Sequence, residues 1–249
     1  MFDSFSDKYE LMITFPQRID KERPFFKTIF DTYNSSRILD TGCGTGNHAI
    51  EFTKMGVEVV GVDISEKMIE RARLNAKTEQ VSIQFEVAAF QDLTQKITGK
   101  FDTIVCIGNN LPLVLDEFGI RRSLQNMYQM LTDNGICIIQ IQNYERILGK
   151  SQRFLPLKTA TQGDNEYLFF RMLDLHEDPL DFYIVTFERT NQENWSYSIQ
   201  STKLKPWKKT QLEKFILDAG FKSMEFYGAY SFEKYIEQTS TDLIIVAHG

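Results

Sequence analysis

Three glycines on alternate positions, Gly42, Gly44 and Gly46, follow the apolar pair Ile38 and Leu39 and the acid Asp40. A second apolar run, Val57 to Val62, ends on another acid, Asp63. Glycine suits such a turn because a ligand comes closer to the backbone than a Cβ allows, and some positions need a positive φ. A carboxylate that closes the second strand can accept both hydroxyls of a ribose. The order is strand, glycine turn, helix, strand, acid, the first half of a nucleotide-binding α/β sheet. A dinucleotide turn spaces its glycines Gly-x-Gly-x-x-Gly to seat a pyrophosphate on the helix that follows. Here the third glycine comes one residue early and Asp40 precedes the turn, which speaks against the rival reading of an NAD-dependent oxidoreductase.

These residues need strands and helices to hold them. Ile19, Phe25, Phe26, Ile29, Phe30 and Tyr33 share one helical face over residues 18–33, with Pro24 tolerable only near a helix start. Residues 1–17 read as a loop or short helix. After the glycine loop the pattern predicts a helix over 46–55, a strand over 57–62 and a helix over 65–76 with Ser65 as its N-cap. Strands over 81–87, 101–107 and 136–142 follow, with a helix over 117–131 between the last two. This alternation predicts a mainly parallel sheet with helices on both faces. After Tyr144 the rhythm changes. Runs over 166–174, 181–190 and 195–204 have no helix between them and read as an antiparallel three-stranded insertion, at about 164–204, covering the substrate side. A helix over 210–219 and strands over 221–227 and 243–247 complete seven main strands in a single domain spanning 1–249.

At 249 residues, with 42% hydrophobic and 13% aromatic content, the chain can fill a core and still line an apolar pocket. A net charge of −6 argues against a generic polyanion binder. Cys43, Cys106 and Cys137 fall in or beside strands at no pairing distance in sequence, as reduced core thiols of a cytoplasmic protein do. The first residues lack the blocks of a signal peptide, and no apolar run is long enough to span a membrane. His48, His176 and His248 are far apart without ligand-spaced partners, so no metal site is expected. Lys203, Lys205, Lys208 and Lys209 around Trp207 form a basic cluster, which on an acidic chain reads as a solvated rim rather than an RNA surface. Glu145 reads either as an acid/base group or as the start of a helix.

The segments Leu39-Asp-Thr-Gly-Cys-Gly-Thr-Gly46, Val60-Gly-Val-Asp-Ile-Ser-Glu-Lys-Met68, Val105-Cys-Ile-Gly-Asn109 and Gln142-Asn-Tyr-Glu-Arg-Ile-Leu148 resemble the class I S-adenosylmethionine (SAM)-dependent methyltransferases, most of all the glycine and sarcosine N-methyltransferases. The resemblance implies a Rossmann-like seven-stranded sheet of order 3-2-1-4-5-7-6, the last strand antiparallel, and S-adenosyl-L-methionine as cofactor. It implies cofactor contacts from the loop residues Asp40, Gly42, Gly44 and Gly46. Asp63 takes the ribose, Ile64 and Met68 flank the adenine, and Ala89 and Phe90 meet its other face and edge. Ile107 and Gly108 line the cofactor near its sulfonium, while Tyr9 and Arg18 reach its methionine end.

An open α/β sheet binds ligands beyond the C-terminal ends of its strands, which is where these residues fall. Asn109, Gln142 and Tyr144 follow strands 4 and 5, where a methyl acceptor belongs, and are the candidates for positioning it. Glycine N-methyltransferases carry an arginine for the substrate carboxylate where this chain has Gln142, which offers no cationic fork. The implied reaction is methyl transfer by in-line displacement to a small molecule, with nitrogen as the acceptor. RNA, oxygen or sulfur acceptors, and a non-catalytic SAM-binding protein, are the readings that turnover assays separate from it. Neither the acceptor nor the oligomeric state follows from the residues.

Overall fold

The computed structural model describes residues 2–13, 15–191 and 193–249, with side chains from Lys8 onward. Two helices come first, α1 (Phe2–Ile13) and α2 (Phe15–Thr32). The alternating part runs β1 (Arg37–Thr41), α3 (Asn47–Lys54), β2 (Glu58–Asp63), α4 (Glu66–Thr78), β3 (Gln84–Val87), α5 (Leu93–Lys96), β4 (Phe101–Cys106), α6 (Glu117–Met130) and β5 (Leu131–Gln142). A short α7 (Tyr144–Gly149) leads to β6 (Lys158–Gln162), β7 (Asn165–Asp174), β8 (Leu180–Thr190) and β9 (Ser196–Leu204). The chain ends with α8 (Lys209–Ala219), β10 (Ser223–Tyr227) and β11 (Asp242–His248).

Seven strands form one sheet in the order β10-β11-β5-β4-β1-β2-β3, in which β11 alone runs antiparallel to its neighbours. Counted along this sheet, the order is the implied 3-2-1-4-5-7-6. Two apolar layers cover its faces. One gathers Leu39, Phe101, Leu124 and Phe215, the other Phe25, Phe26, Phe52 and Val105. The strand order reverses between β4, β1 and β2, which opens a crevice beyond their C-terminal ends.

Several details differ from the sequence pattern. Of the two readings of the N-terminal segment, loop or short helix, the structure has the helix, α1, over twelve residues. Pro24 sits inside α2 rather than near its start. It is exposed, as is Asp20, so the carbonyl that loses its donor faces water. Strand β5 begins at Leu131, and the turn residues before Gly135 are accommodated by a register shift between the Phe101 and Thr103 pairings. Ser65 does cap α4, accepting the Met68 N–H at 3.2 Å.

The second sheet has four antiparallel strands in the order β6-β7-β8-β9 rather than three. Strand β6, Lys-Thr-Ala-Thr-Gln, lacks the apolar alternation that marks a strand in sequence. One face of this sheet carries Phe169, Leu173 and Ile184, all buried, and lies over the crevice end of the main sheet. Helix α1 is wedged between the sheets. Met12 packs with Tyr167, Phe169 and Ile184, while Glu10 accepts from Arg71 and Asn75 of α4. The chain returning from β9 is tied down by the Trp207 indole N–H, which donates to the Val114 carbonyl at 3.0 Å.

Backbone packing is close at Gly46, which has φ 79° and caps the start of α3. A Cβ there would lie 2.9 Å from both Ala72 and Phe85. Gly46→Ala is expected to destabilise the fold by about 2–5 kcal/mol, the sum of left-handed strain and overpacking. Gly56→Ala, at φ 93° with open space around it, loses only the strain, about 1–2 kcal/mol. Urea unfolding of the two variants checks the difference, and equal losses would remove the packing argument.

Candidate functional site

The glycine loop is held by backbone and by two side chains, Asp63 and Asn110. The N–H groups of Gly42 and Cys43 both donate to the Val62 carbonyl, at 2.7 and 2.9 Å. The Gly44 N–H donates to one Asp63 oxygen and the Ser65 N–H to the other, each at 2.9 Å. From β4, the Asn110 amide donates to the carbonyls of Gly42 (2.6 Å) and Ile107 (2.7 Å), closing the crevice from its other side. A side chain at Gly42, φ 71°, would collide with this amide at 2.7 Å.

Three cavities meet around Tyr9 of α1. One, of about 160 Å³, is bounded by Gly42, Gly44, Asp63, Ile64, Met68, Ala89 and Phe90. Ile64 stands 70% exposed at its mouth and Met68 is buried in its floor. A small cavity of about 20 Å³ brings together Arg18, Asp40, Gly42, Ile107 and Gly108. The largest, about 640 Å³, lies between the strand ends and the four-stranded sheet, with Arg18, Asn109 and Gln142 on one side and Lys158, Arg171 and Phe182 on the other. Of the residues singled out in sequence, Gly46 and Tyr144 line none of these. Gly46 instead packs α3 against α4, and Tyr144 is wholly buried.

Tyr144 acts on the site through Asn109. The Asn109 amide donates to the Tyr144 hydroxyl at 3.0 Å, and its carbonyl accepts the Gln142 backbone N–H at 2.9 Å. Asn109 has φ 63°, a left-handed conformation that asparagine tolerates better than most residues. Burial pushes the Tyr144 phenol well above its ordinary value, so it stays a neutral partner. Gln140 accepts the N–H groups of Gly108 (2.8 Å) and Asn109 (3.2 Å) and donates to Asp242 at 2.6 Å. An amide inside the otherwise apolar Ile136–Ile141 run is the sequence signal for this bracket.

A second network is built on Glu22, which lies on the buried face of α2. Arg18 donates to it at 2.6 Å, and its other oxygen meets His48 Nε2 at 2.7 Å. Burial works against the Glu22 carboxylate, but the His48 and Arg18 bonds bring it below its ordinary value. Burial lowers the Arg18 guanidinium too, yet the Glu22 charge outweighs this and holds it above its usual range. Burial pulls the His48 imidazole down, so at neutral pH it is an uncharged donor to Glu22. Glu22 looks in sequence like a surface acid because Lys21 and Arg23 flank it.

Asp40 has no such support. Its side chain is 1% exposed, it accepts the Ala49 N–H, and its Oδ2 has no partner. Burial, and then the nearby Asp63 charge, push it up to about 7. Elsewhere, Glu145 starts α7 and accepts from the Lys209 N–H and the Tyr235 hydroxyl, away from the cavities. In the basic cluster Trp207 is buried, and Lys203, Lys205 and Lys209 pair with Asp181, Asp178 and Glu213. The cysteines are buried and unpaired, and burial pushes the Cys106 thiol up to about 12. No described helix is long and apolar enough to cross a membrane.

Residues 38–135 match a family model described as a methyltransferase domain. The chain is 25% identical over 228 residues to a glycine/sarcosine N-methyltransferase of Parasynechococcus marenigrum (strain WH8102), covering 92% of this chain and 78% of that protein. It is 24% identical over 243 residues to the enzyme of the same name from Aphanothece halophytica, covering 98% and 87%. Among solved structures, a S-adenosylmethionine-dependent methyltransferase from Clostridium acetobutylicum ATCC 824 superposes with a TM-score of 0.80 over 99% of this chain and 98% of that one, at 19% identity. That last likeness carries the fold.

Asp40 sets a pH dependence. Its folded value lies above the usual carboxylate value near 4, so the folded state holds the proton more tightly. The stability this contributes is fully present below about pH 4 and is lost as pH rises through about 7, on the order of 4 kcal/mol at most. Asp40→Asn is therefore expected to gain stability relative to the unsubstituted protein at pH 8, with little difference at pH 4. Urea unfolding across that range checks it, and parallel curves would show that Asp40 titrates normally.

Proposed function

Because this chain is a class I S-adenosylmethionine-dependent methyltransferase, we propose that it transfers the methyl group to the nitrogen of a small amine. The 25% identical relative named as an N-methyltransferase supports nitrogen, and one feature of the large cavity carries the reading. Both carboxylates that face it are already engaged, Glu22 by Arg18 and His48, and Asp242 by Gln140 and Thr241. No histidine is among the described residues that line it. A hydroxyl acceptor needs a strong base beside it, whereas an amine needs only to arrive uncharged. The four-stranded sheet then belongs to the same catalytic domain as its cover.

The cavities suit the cofactor's chemistry. S-adenosylmethionine carries an adenosine, an ammonium and a carboxylate. Arg18 and the unpartnered oxygen of Asp40 converge on one small cavity, a cation and an acid for an amino-acid end. Asp63 spends one acceptor site of each oxygen on Gly44 and Ser65, and carboxylate oxygens have further lone pairs for ribose hydroxyls. Ile64, Met68, Ala89 and Phe90 give the adenine an apolar slot, while Gly42 and Gly44 keep the backbone bare beside it. When bound, the cofactor supplies a methyl group on a cationic sulfur, open to in-line attack by a lone pair.

What remains for the protein is positioning and exclusion of water. Asn109, braced by Tyr144 and by the Gln142 N–H, presents its amide at the edge of the large cavity. Asp242 faces the same space, and beyond the bonds from Gln140 and Thr241 its oxygens keep lone pairs for a further donor. It is the group suited to receive an N–H of the acceptor. Phe182, Ile184 and Leu204 of the covering sheet keep water from the acceptor. A screen following S-adenosylhomocysteine release with amines, thiols and hydroxylated compounds tests the reading. Turnover confined to oxygen or sulfur acceptors overturns it, as does cofactor binding without any turnover.

Two substitutions test the residue roles. Asp63→Ala is expected to weaken cofactor binding by roughly 2–4 kcal/mol, from the loss of charge-assisted bonds to two hydroxyls. Calorimetry giving an unchanged affinity in a folded variant would withdraw the ribose assignment. Gln142 offers no cation to a carboxylate bound against β5, and a buried unpaired charge costs several kcal/mol. The unsubstituted protein is therefore expected to methylate glycine poorly. Gln142→Arg should raise that activity without tightening the cofactor, and efficient glycine turnover by the unsubstituted protein contradicts this.

A further inference from the structure

In β7 every second residue faces inward: Tyr167, Phe169, Arg171 and Leu173. Tyr167, Phe169 and Leu173 are buried, as the inner face of a covering sheet requires. Arg171 occupies the same row. Its cross-strand partner in β8 is Ile184, 1% exposed, which also lines the large cavity. An arginine set among apolar side chains is costly unless a carboxylate or a full set of acceptors meets it. Here one Nη2–H donates to the Pro156 carbonyl at 3.1 Å, and the buried Nε has no partner. No carboxylate pairs with it among the described residues, and burial alone pulls its guanidinium below the ordinary value.

Other arginines also have a buried Nε without a partner, namely Arg146, Arg153 and Arg189. Of these four, Arg171 alone lines the large cavity. Lys158 stands in the neighbouring strand, opposite Phe169, on the same face and against the same space. The other cations of the cavity differ in kind. Arg18 already pairs with Glu22 through its Nε, and Lys21 comes from the exposed side of α2. The covering sheet thus brings a guanidinium fork and an ammonium to the wall facing Gln142, with no ion-pair partner for either among the described residues.

Resting on the nitrogen-acceptor reading above, we propose that Arg171, assisted by Lys158, holds an anionic group of the acceptor and sets its specificity. The acceptor is then an amine that also carries a carboxylate or a similar oxyanion. The amine lies towards Asn109 and Asp242, and the anion is received by the covering sheet rather than by β5. A planar fork matches a carboxylate with two parallel N–H bonds, and the Pro156 contact leaves the other donors of Arg171 for it. This assignment also gives the broken apolar row of β7 a purpose.

Pairs of acceptors that differ only in charge test it: 4-aminobutanoate and 6-aminohexanoate, each against its neutral amide. In the unsubstituted protein the acids should be favoured in KM by roughly tenfold to a hundredfold over their amides. Arg171→Gln should abolish that preference with cofactor affinity unchanged, and Arg171→Lys should keep part of it. A ratio near one in the unsubstituted protein, or a ratio that survives Arg171→Gln, overturns the proposal. The first result needs no variant to fold. Thermal unfolding with S-adenosylhomocysteine present supplies a second readout. Acids that raise the melting temperature more than their amides support the anion site even where only oxygen or sulfur acceptors are methylated, the outcome that defeats the nitrogen reading. No such difference counts against Arg171, whereas turnover of amines regardless of charge defeats this inference and leaves nitrogen transfer standing.

Discussion

The site depends on one carboxylate at the end of a strand. Asp63 takes an N–H from Gly44, in the loop after β1, and another from Ser65, at the start of α4. Each bond satisfies a backbone donor that loop geometry would otherwise leave without a partner, and a carboxylate acceptor makes such bonds stronger than neutral ones. The same side chain therefore fixes the glycine loop, sets the start of the helix whose Ser65 caps it, and stands at the wall of the cavity those two elements enclose. The loop's further support comes from the backbone, Gly42 and Cys43 to Val62, and from the Asn110 amide on the Gly42 carbonyl. The site's shape follows from strands β1 and β2 being adjacent and parallel, not from contacts made only when a ligand arrives.

The large cavity depends on α1. Lys8 reaches Glu188 in the covering sheet, Glu10 reaches Arg71 and Asn75 on α4, and Tyr9 lies between them against all three cavities. These polar ties are weaker than they look. Lys8 and Glu188 are each about a third exposed, 32% and 31%, and such pairs contribute about 0–1 kcal/mol. Full burial of an apolar side chain contributes about 1.5–3 kcal/mol. The contact of Met12 with Tyr167, Phe169 and Ile184 therefore holds the sheets together, and the ion pairs set the register of α1 between them.

What could be read from sequence followed the regularity of each element. The glycine triplet, the acids that close β1 and β2, and the alternation of buried strands with helices each have a period or a fixed spacing, so the sheet and the loop were legible. Helix α1 was legible only as one of two readings, since its described side chains divide between α4 on one side and the covering sheet on the other. Strand β6 was not legible, because an edge strand with half-exposed threonines has no apolar row. Glu22 stayed hidden because burial of an acid depends on partners, Arg18 and His48, and the histidine comes from another helix. Gln140 and Arg171 did leave a signal, a polar residue interrupting an apolar row, but the partner of each lies far away in sequence.

The charges around the large cavity divide by wall. On the main-sheet side they are closed among themselves. Arg18, Glu22 and His48 neutralise one another, and Asp242 is bracketed by Gln140 and Thr241. Such a wall reorganises little when a ligand enters, which is what preorganised positioning requires. On the covering-sheet side Arg171 and Lys158 have no acid to close against among the described residues, and the cost of desolvating Arg171 is carried by the packing around Phe169 and Leu173. A fold tolerates such an imbalance where it serves a site, because the same apolar surroundings that penalise an unmet charge strengthen its attraction to an arriving one. The main sheet therefore fixes what does not vary, the loop and its pocket. The covering sheet, tied on by one helix and two connections, holds the residues in which selectivity for an acceptor would reside.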